Sequence, residues 1–113
     1  MTRDRRLKAP NAEYRSPDGD VLVLRGSMSP GTRREYAATL AGSPLSREDA
    51  WHRGVEFLFE RLAVSWEIAG TEAITRQKEL LGRFRMASQA ERAWIRDVLR
   101  EHVAEQFPDL ATP

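Results

Sequence analysis

Two histidines, His52 and His102, are the side chains best suited to move protons or hold a metal at neutral pH. They stand about fifty positions apart, and neither belongs to an H-E-x-x-H or comparable ligand spacing. Each reads as a partly exposed structural residue. Glu56 and Glu60 are four apart and would share one helical face, the arrangement a carboxylate pair needs for acid–base work. Arg53 and Arg61 fall on the same surface, so the group reads as a solvated ion-pair lattice worth a few tenths of a kcal/mol per pair. Asp18-Gly19-Asp20 has the opening of a calcium loop but no glutamate at the twelfth position, and turn chemistry accounts for all three residues. There is no G-x-G-x-x-G, no P-loop and no G-x-S-x-G elbow. Without cysteine, a thiol nucleophile, a thiolate zinc site and a disulfide framework are excluded. The residues point to a non-enzymatic protein with no metal and no cofactor.

The large apolar investment is in Trp51, Trp66 and Trp94, each able to bury roughly 150 to 250 Å². Their helical or strand spacing among Leu and Phe favours a role in stapling one core. Trp51, flanked by Arg47 and Arg53, is the one expected to be exposed, where tryptophan serves as an interface anchor.

The elements that must position these residues follow from periodicity. Residues 1–12 carry Arg3, Arg5, Arg6 and Lys8 against Asp4 with little to bury, and read as a disordered basic arm. Alternation over Glu13-Tyr14-Arg15 and Val21-Leu22-Val23-Leu24, joined by Ser16-Pro17-Asp18-Gly19, predicts a hairpin. Ser29-Pro30 is a helix start for Thr32 to Ala41, which Gly42 ends. Ser46 caps a long helix in which Ala50, Trp51, Gly54, Val55, Leu58, Phe59 and Leu62 recur at spacings of three and four. Alternating Val64, Trp66 and Ile68 predict a short extended strap that Gly70 ends. A helix is predicted over Ala73 to Ala87, weakened by Gly82. A full S-x-x-E capping box at Ser88 opens the last helix, Gln89 to Phe107, which Pro108 stops. Residues 109–113 should fray.

The expectation is therefore a mainly α (α+β) protein: a compact four-helix domain over 13–108 with a small N-terminal β-hairpin and a short extended strap around Trp66. At 113 residues one core is the limit, and 41% hydrophobic with 31% charged residues is a globular composition. A formal charge of +1 supplies no field for nucleic acid or anionic membrane, and no apolar run approaches the roughly 18 residues a membrane span requires. The N-terminus lacks the apolar stretch of a signal peptide, so the cytoplasm is the expected compartment.

The order of elements, with Asp18-Gly19, Val21 to Arg25 and Leu62-Ala63-Val64-Ser65-Trp66-Glu67-Ile68, resembles the tail assembly chaperones of long-tailed bacteriophages and related elements over about Tyr14 to Phe107. The helix from Gln89 to Phe107 is longer and more apolar than the family pattern. The resemblance implies a small helical protein that coats a tape-measure protein, keeps its apolar helices from aggregating and helps recruit tail-tube subunits. Such a holdase needs an apolar groove framed by charge. Tyr36, Leu40, Trp51, Val55 and Leu58 are the candidate partner-binding residues, between the two helices Thr32 to Ala41 and Arg47 to Ala63. Loose homo-oligomers are compatible with this reading. The rivals are a structural subunit of a virion or injection particle that adds strands at the hairpin edge, and a nucleic-acid or regulatory adaptor built on Arg33-Arg34, Arg83-Arg85 and the basic arm.

Overall fold

The computed structural model describes residues 9–42 and 45–113, so most of the basic arm lies outside the described residues. Ser16 organises the hairpin turn. Its Oγ accepts from the N–H groups of Asp18 (3.2 Å) and Asp20 (3.0 Å), while Gly19 takes the left-handed φ of 92° that a side chain would resist. The strands on either side, β1 (Ala12–Arg15) and β2 (Val21–Leu24), pair antiparallel with Tyr14 opposite Leu22. Leu22 and Leu24 point to one face and are completely buried there. Ala9 and Pro10 run so close to Gly26 that a Cβ at that position would collide with the Pro10 carbonyl.

Helix α1 (Pro30–Ala41) begins as predicted, with Ser29 Oγ accepting from the Thr32 N–H and proline in the first turn. Helix α2 (Arg47–Leu62) is capped by Ser46, whose Oγ accepts from the Asp49 N–H at 3.0 Å. It passes without a loop into β3 (Ala63–Glu67), which pairs antiparallel with β2 and completes a sheet of order β1-β2-β3. The strap is thus a full sheet strand. The register shifts between Val23 and Leu24, so Ala63 rather than Val64 stands opposite Leu24. Val64 is consequently half-buried, and Trp66 alone supplies the large core side chain of this strand.

Two boundaries differ from expectation. Helix α3 starts at Gln77 and spans Gln77–Arg85, because Ile74 exchanges two backbone hydrogen bonds with Trp66 (3.0 and 2.9 Å) and stays extended. Pairing with the sheet outweighs the helical spacing that Ile74 shares with Leu81. Helix α4 (Gln89–Gln106) has both bonds of the capping box at Ser88 and Glu91. Beyond it, residues 109–113 do not fray but fold back onto α1. Among the described residues, four helices and a three-stranded antiparallel sheet make a mainly α fold with a small β part. The core runs from Leu22 and Leu24 through Val55, Leu58, Phe59 and Leu62 to Trp66, Phe84, Ile95, Leu99 and Val103.

Candidate protein-docking site

The groove expected between the first two helices is closed. Tyr36, Trp51, Val55 and Leu58 are exposed by only 1%, 1%, 2% and 0%, so these four candidate partner-binding residues are core, and Trp51 is not the exposed tryptophan. Gly54 is the reason the helices meet so closely. A Cβ there would stand 3.0 Å from Leu40 Cδ2 and 3.3 Å from the Tyr36 ring, so the missing side chain admits α1 onto α2. The arginines flanking Trp51 in sequence lie on the outer surface of α2, while a different one, Arg100 of α4, covers the indole face at 4.7 Å. Of the five candidates only Leu40 stays half-buried.

Leu40 lines what remains open. A concavity of about 440 Å³ lies between Tyr36, Ala37, Leu40 and Ala41 on one side and Asp109, Leu110, Ala111 and Pro113 on the other. A second hollow of about 510 Å³ continues it past Leu40 to Ser46, Arg47 and Ala50 at the start of α2. Leu45, one residue before that cap, is 92% exposed. An apolar trough thus exists along the outer face of α1, displaced from the interior stripe.

The segment after α4 is held in this trough by polar anchors. Arg33 pairs with Asp109 at 3.3 Å and lies 5.2 Å over the Phe107 ring. The Tyr36 hydroxyl donates to the Ala111 carbonyl, and Arg100 donates to the Pro113 carbonyl at 3.2 Å. Burial pushes the Tyr36 phenol up to about 12, opposed by the Arg100 charge, so it is a neutral donor at physiological pH. Arg100 and the residues after Pro108 carry no spacing that marks them, and Arg33 is marked only as part of the Arg33-Arg34 pair. The available signal was Leu110, the one large apolar side chain beyond Phe107.

Elsewhere several buried or cleft-lining polar groups are already engaged, although the Trp51 and Trp66 indole N–H groups have no hydrogen-bond partner among the described residues. The cleft between the hairpin turn and α4, about 510 Å³ and lined by Ser16, Asp20, Ala69, Glu91 and Trp94 among others, has its donors and acceptors turned on one another. Asp20 Oδ1 accepts from the Ala69 N–H at 2.9 Å, and Glu91 binds Arg83 through both oxygens. That bond to Arg83 is the main cause holding the Glu91 carboxyl below its usual range. His102 is a second correction: it is fully buried. One ring nitrogen lies 2.8 Å from the Tyr14 hydroxyl and the other 2.7 Å from the Arg25 carbonyl. The carbonyl can only accept, so Nε2 carries the proton and Nδ1 accepts from Tyr14. Desolvation lowers the His102 pKa despite the opposing Arg25 bond and Glu105 charge, and likewise raises Tyr14 to about 12. His102 joins α4 to the sheet as a neutral residue.

Among the described residues no cluster of three or more His, Asp or Glu could hold a metal, and no helix is long and apolar enough to cross a membrane. Of the cations a nucleic-acid surface would recruit, Arg33, Arg83 and Arg85 pair with Asp109, Glu91 and Glu56, Arg34 is exposed, and most of the basic arm lies outside the described residues. No family model, curated protein or solved structure matches the chain.

Proposed function

We propose that this protein is a non-enzymatic assembly chaperone of the phage-tail type, working in the cytoplasm to hold apolar segments of a tape-measure protein while tail-tube subunits are added. The observation that carries the reading is the apolar trough left on the outer face of α1, lined by Ala37, Leu40 and Ala41 and rimmed by Arg33, Arg47 and Asp109. Apolar floor and charged rim are what a weak, repeated holdase contact requires, since many such contacts along a long client add by avidity. The order of hairpin, paired helices and Ser-Trp strand supports the same reading through its resemblance to tail assembly chaperones. The client surface is moved outward from the stripe of Trp51, Val55 and Leu58, which is occupied by the fold itself.

Co-expression with a segment of a very large helical protein encoded beside this gene is the test. Ala37→Glu together with Ala41→Glu should abolish co-purification while leaving the circular dichroism and melting temperature close to the parent's, because both side chains line the trough and are exposed. Retention of the client by that double variant would remove the trough from the reading. Failure of the parent protein to retain any such segment would remove the chaperone role.

A further inference from the structure

We propose that the α1–α2 surface is a docking site for a short peptide bearing a carboxylate followed by a leucine, and that residues 108–113 occupy it in cis. The proposal deepens the trough reading above without depending on the client being a tape-measure protein. Pro108 ends α4, the Leu110 N–H donates to the Phe107 carbonyl at 2.9 Å to close a turn, and residues 111–113 run on without regular secondary structure. They are held instead by recognition contacts of the kind a peptide groove makes. Arg33 takes the Asp109 carboxylate, and Leu110 packs against the core edge. The Tyr36 hydroxyl takes the carbonyl of Ala111, and Arg100 takes that of Pro113. Two of these four contacts read backbone, one reads charge and one reads apolar bulk, a division of labour suited to recognising a short peptide.

The fit is partial, and that is informative. Asp109 keeps 75% of its side-chain surface exposed while paired, and the concavities on both sides of the segment stay open. A peptide of the same chemistry with larger apolar residues would fill more of this space. Tethering gives residues 108–113 a high effective concentration, so an incoming peptide sees the site only in the fraction of molecules whose own segment has lifted.

The experiment titrates the full-length, isotopically labelled chain with the synthetic peptide Phe-Pro-Asp-Leu-Ala-Thr-Pro, which copies residues 107–113, and follows backbone resonances. Leu110→Asp and, independently, Asp109→Arg release the resident segment while leaving the groove residues unchanged; the second variant covers the case in which the first misfolds. In either released variant the peptide should shift Tyr36–Ala41 and Ser46–Ala50 saturably, with affinity at least tenfold above that for the parent chain. A peptide with Asn in place of Asp should bind several-fold more weakly. No saturable shift in either variant, or equal affinity for parent and variants, overturns the proposal. A parent dimer seen by native mass spectrometry and lost in both variants would give the groove to a second copy's segment and overturn the partner assignment. Client co-purification plays no part in this titration, so its failure and the failure of the peptide site are told apart.

Discussion

Helices α1 and α2 lie side by side but are attached to the molecule in different ways. Along α2, Ala50, Trp51, Gly54, Val55, Leu58, Phe59 and Leu62 are buried, whereas α1 buries Tyr36 alone. Helix α2 is welded to the sheet and α4 by continuous apolar contact. Helix α1 is held by one tyrosine, one glycine-sized gap and the side-chain anchors of residues 109–113. Local stability follows buried apolar area, so the difference separates a firmly held half from a more weakly held one.

The largest test of this division is Phe59→Ala, in the firmly held half. Phe59 stacks on Phe84 at 4.8 Å and meets Trp66 edge-on at 5.7 Å, so truncation should cost about 4 kcal/mol and be seen as global loss in chemical denaturation. His102→Ala should cost about 3 kcal/mol, because it strands the Tyr14 hydroxyl and the Arg25 carbonyl and leaves a cavity. Gly54→Val tests the seam itself. Its side chain meets Leu40, Tyr36 and Trp51 at once, and should cost about 2 kcal/mol by overpacking, with hydrogen exchange rising first in α1. Equal loosening of α1 and the sheet would erase the contrast. Tyr36→Phe should cost only about 1 kcal/mol and raise exchange in α1 and residues 109–113 while leaving β2 protected.

Acid should act on the firmly held half through His102. Its folded pKa lies below the ordinary value of 6.5, so the unfolded chain takes up the proton first as pH falls. The contribution to stability is therefore intact above about pH 6.5 and declines below it until the folded pKa is reached. The melting temperature should drop between pH 7.5 and 5.5 in the parent. His102→Gln, which can donate to Arg25 and accept from Tyr14 without titrating, should flatten that drop. Tyr14 and Tyr36, both raised to about 12, act at the other extreme. The unfolded phenols ionise first as pH rises past about 10, so stability falls above that point.

The contrast between the helices was only half legible beforehand. The three-and-four spacing of α2 marks an apolar stripe correctly, and the Ser29, Ser46 and Ser88 caps place three helix starts. Spacing cannot tell a stripe that faces its own fold from one that faces a partner, because both need the same residues. Neighbouring arginines therefore mislead at Trp51, because they point away from the indole, which is buried. The covering groups come from far along the chain: Tyr36 lies 15 residues before Trp51, and Arg100 lies 49 after it. Ile74 and residues 109–113 were misjudged for the same reason, since each is held by a partner distant in sequence.

What the amino-acid order determined by itself was local: the hairpin turn at Ser16-Gly19, the helix caps, the apolar periods and the β2 strand, because each is set by neighbours within about four positions. Tertiary structure alone decided that β3 joins the hairpin as a third strand, that His102 is buried and neutral, and that the open apolar surface lies outside α1 rather than inside α2. Those outcomes depend on which surfaces reach each other first and bury the most area, a competition between residues separated by tens of positions that no local pattern records.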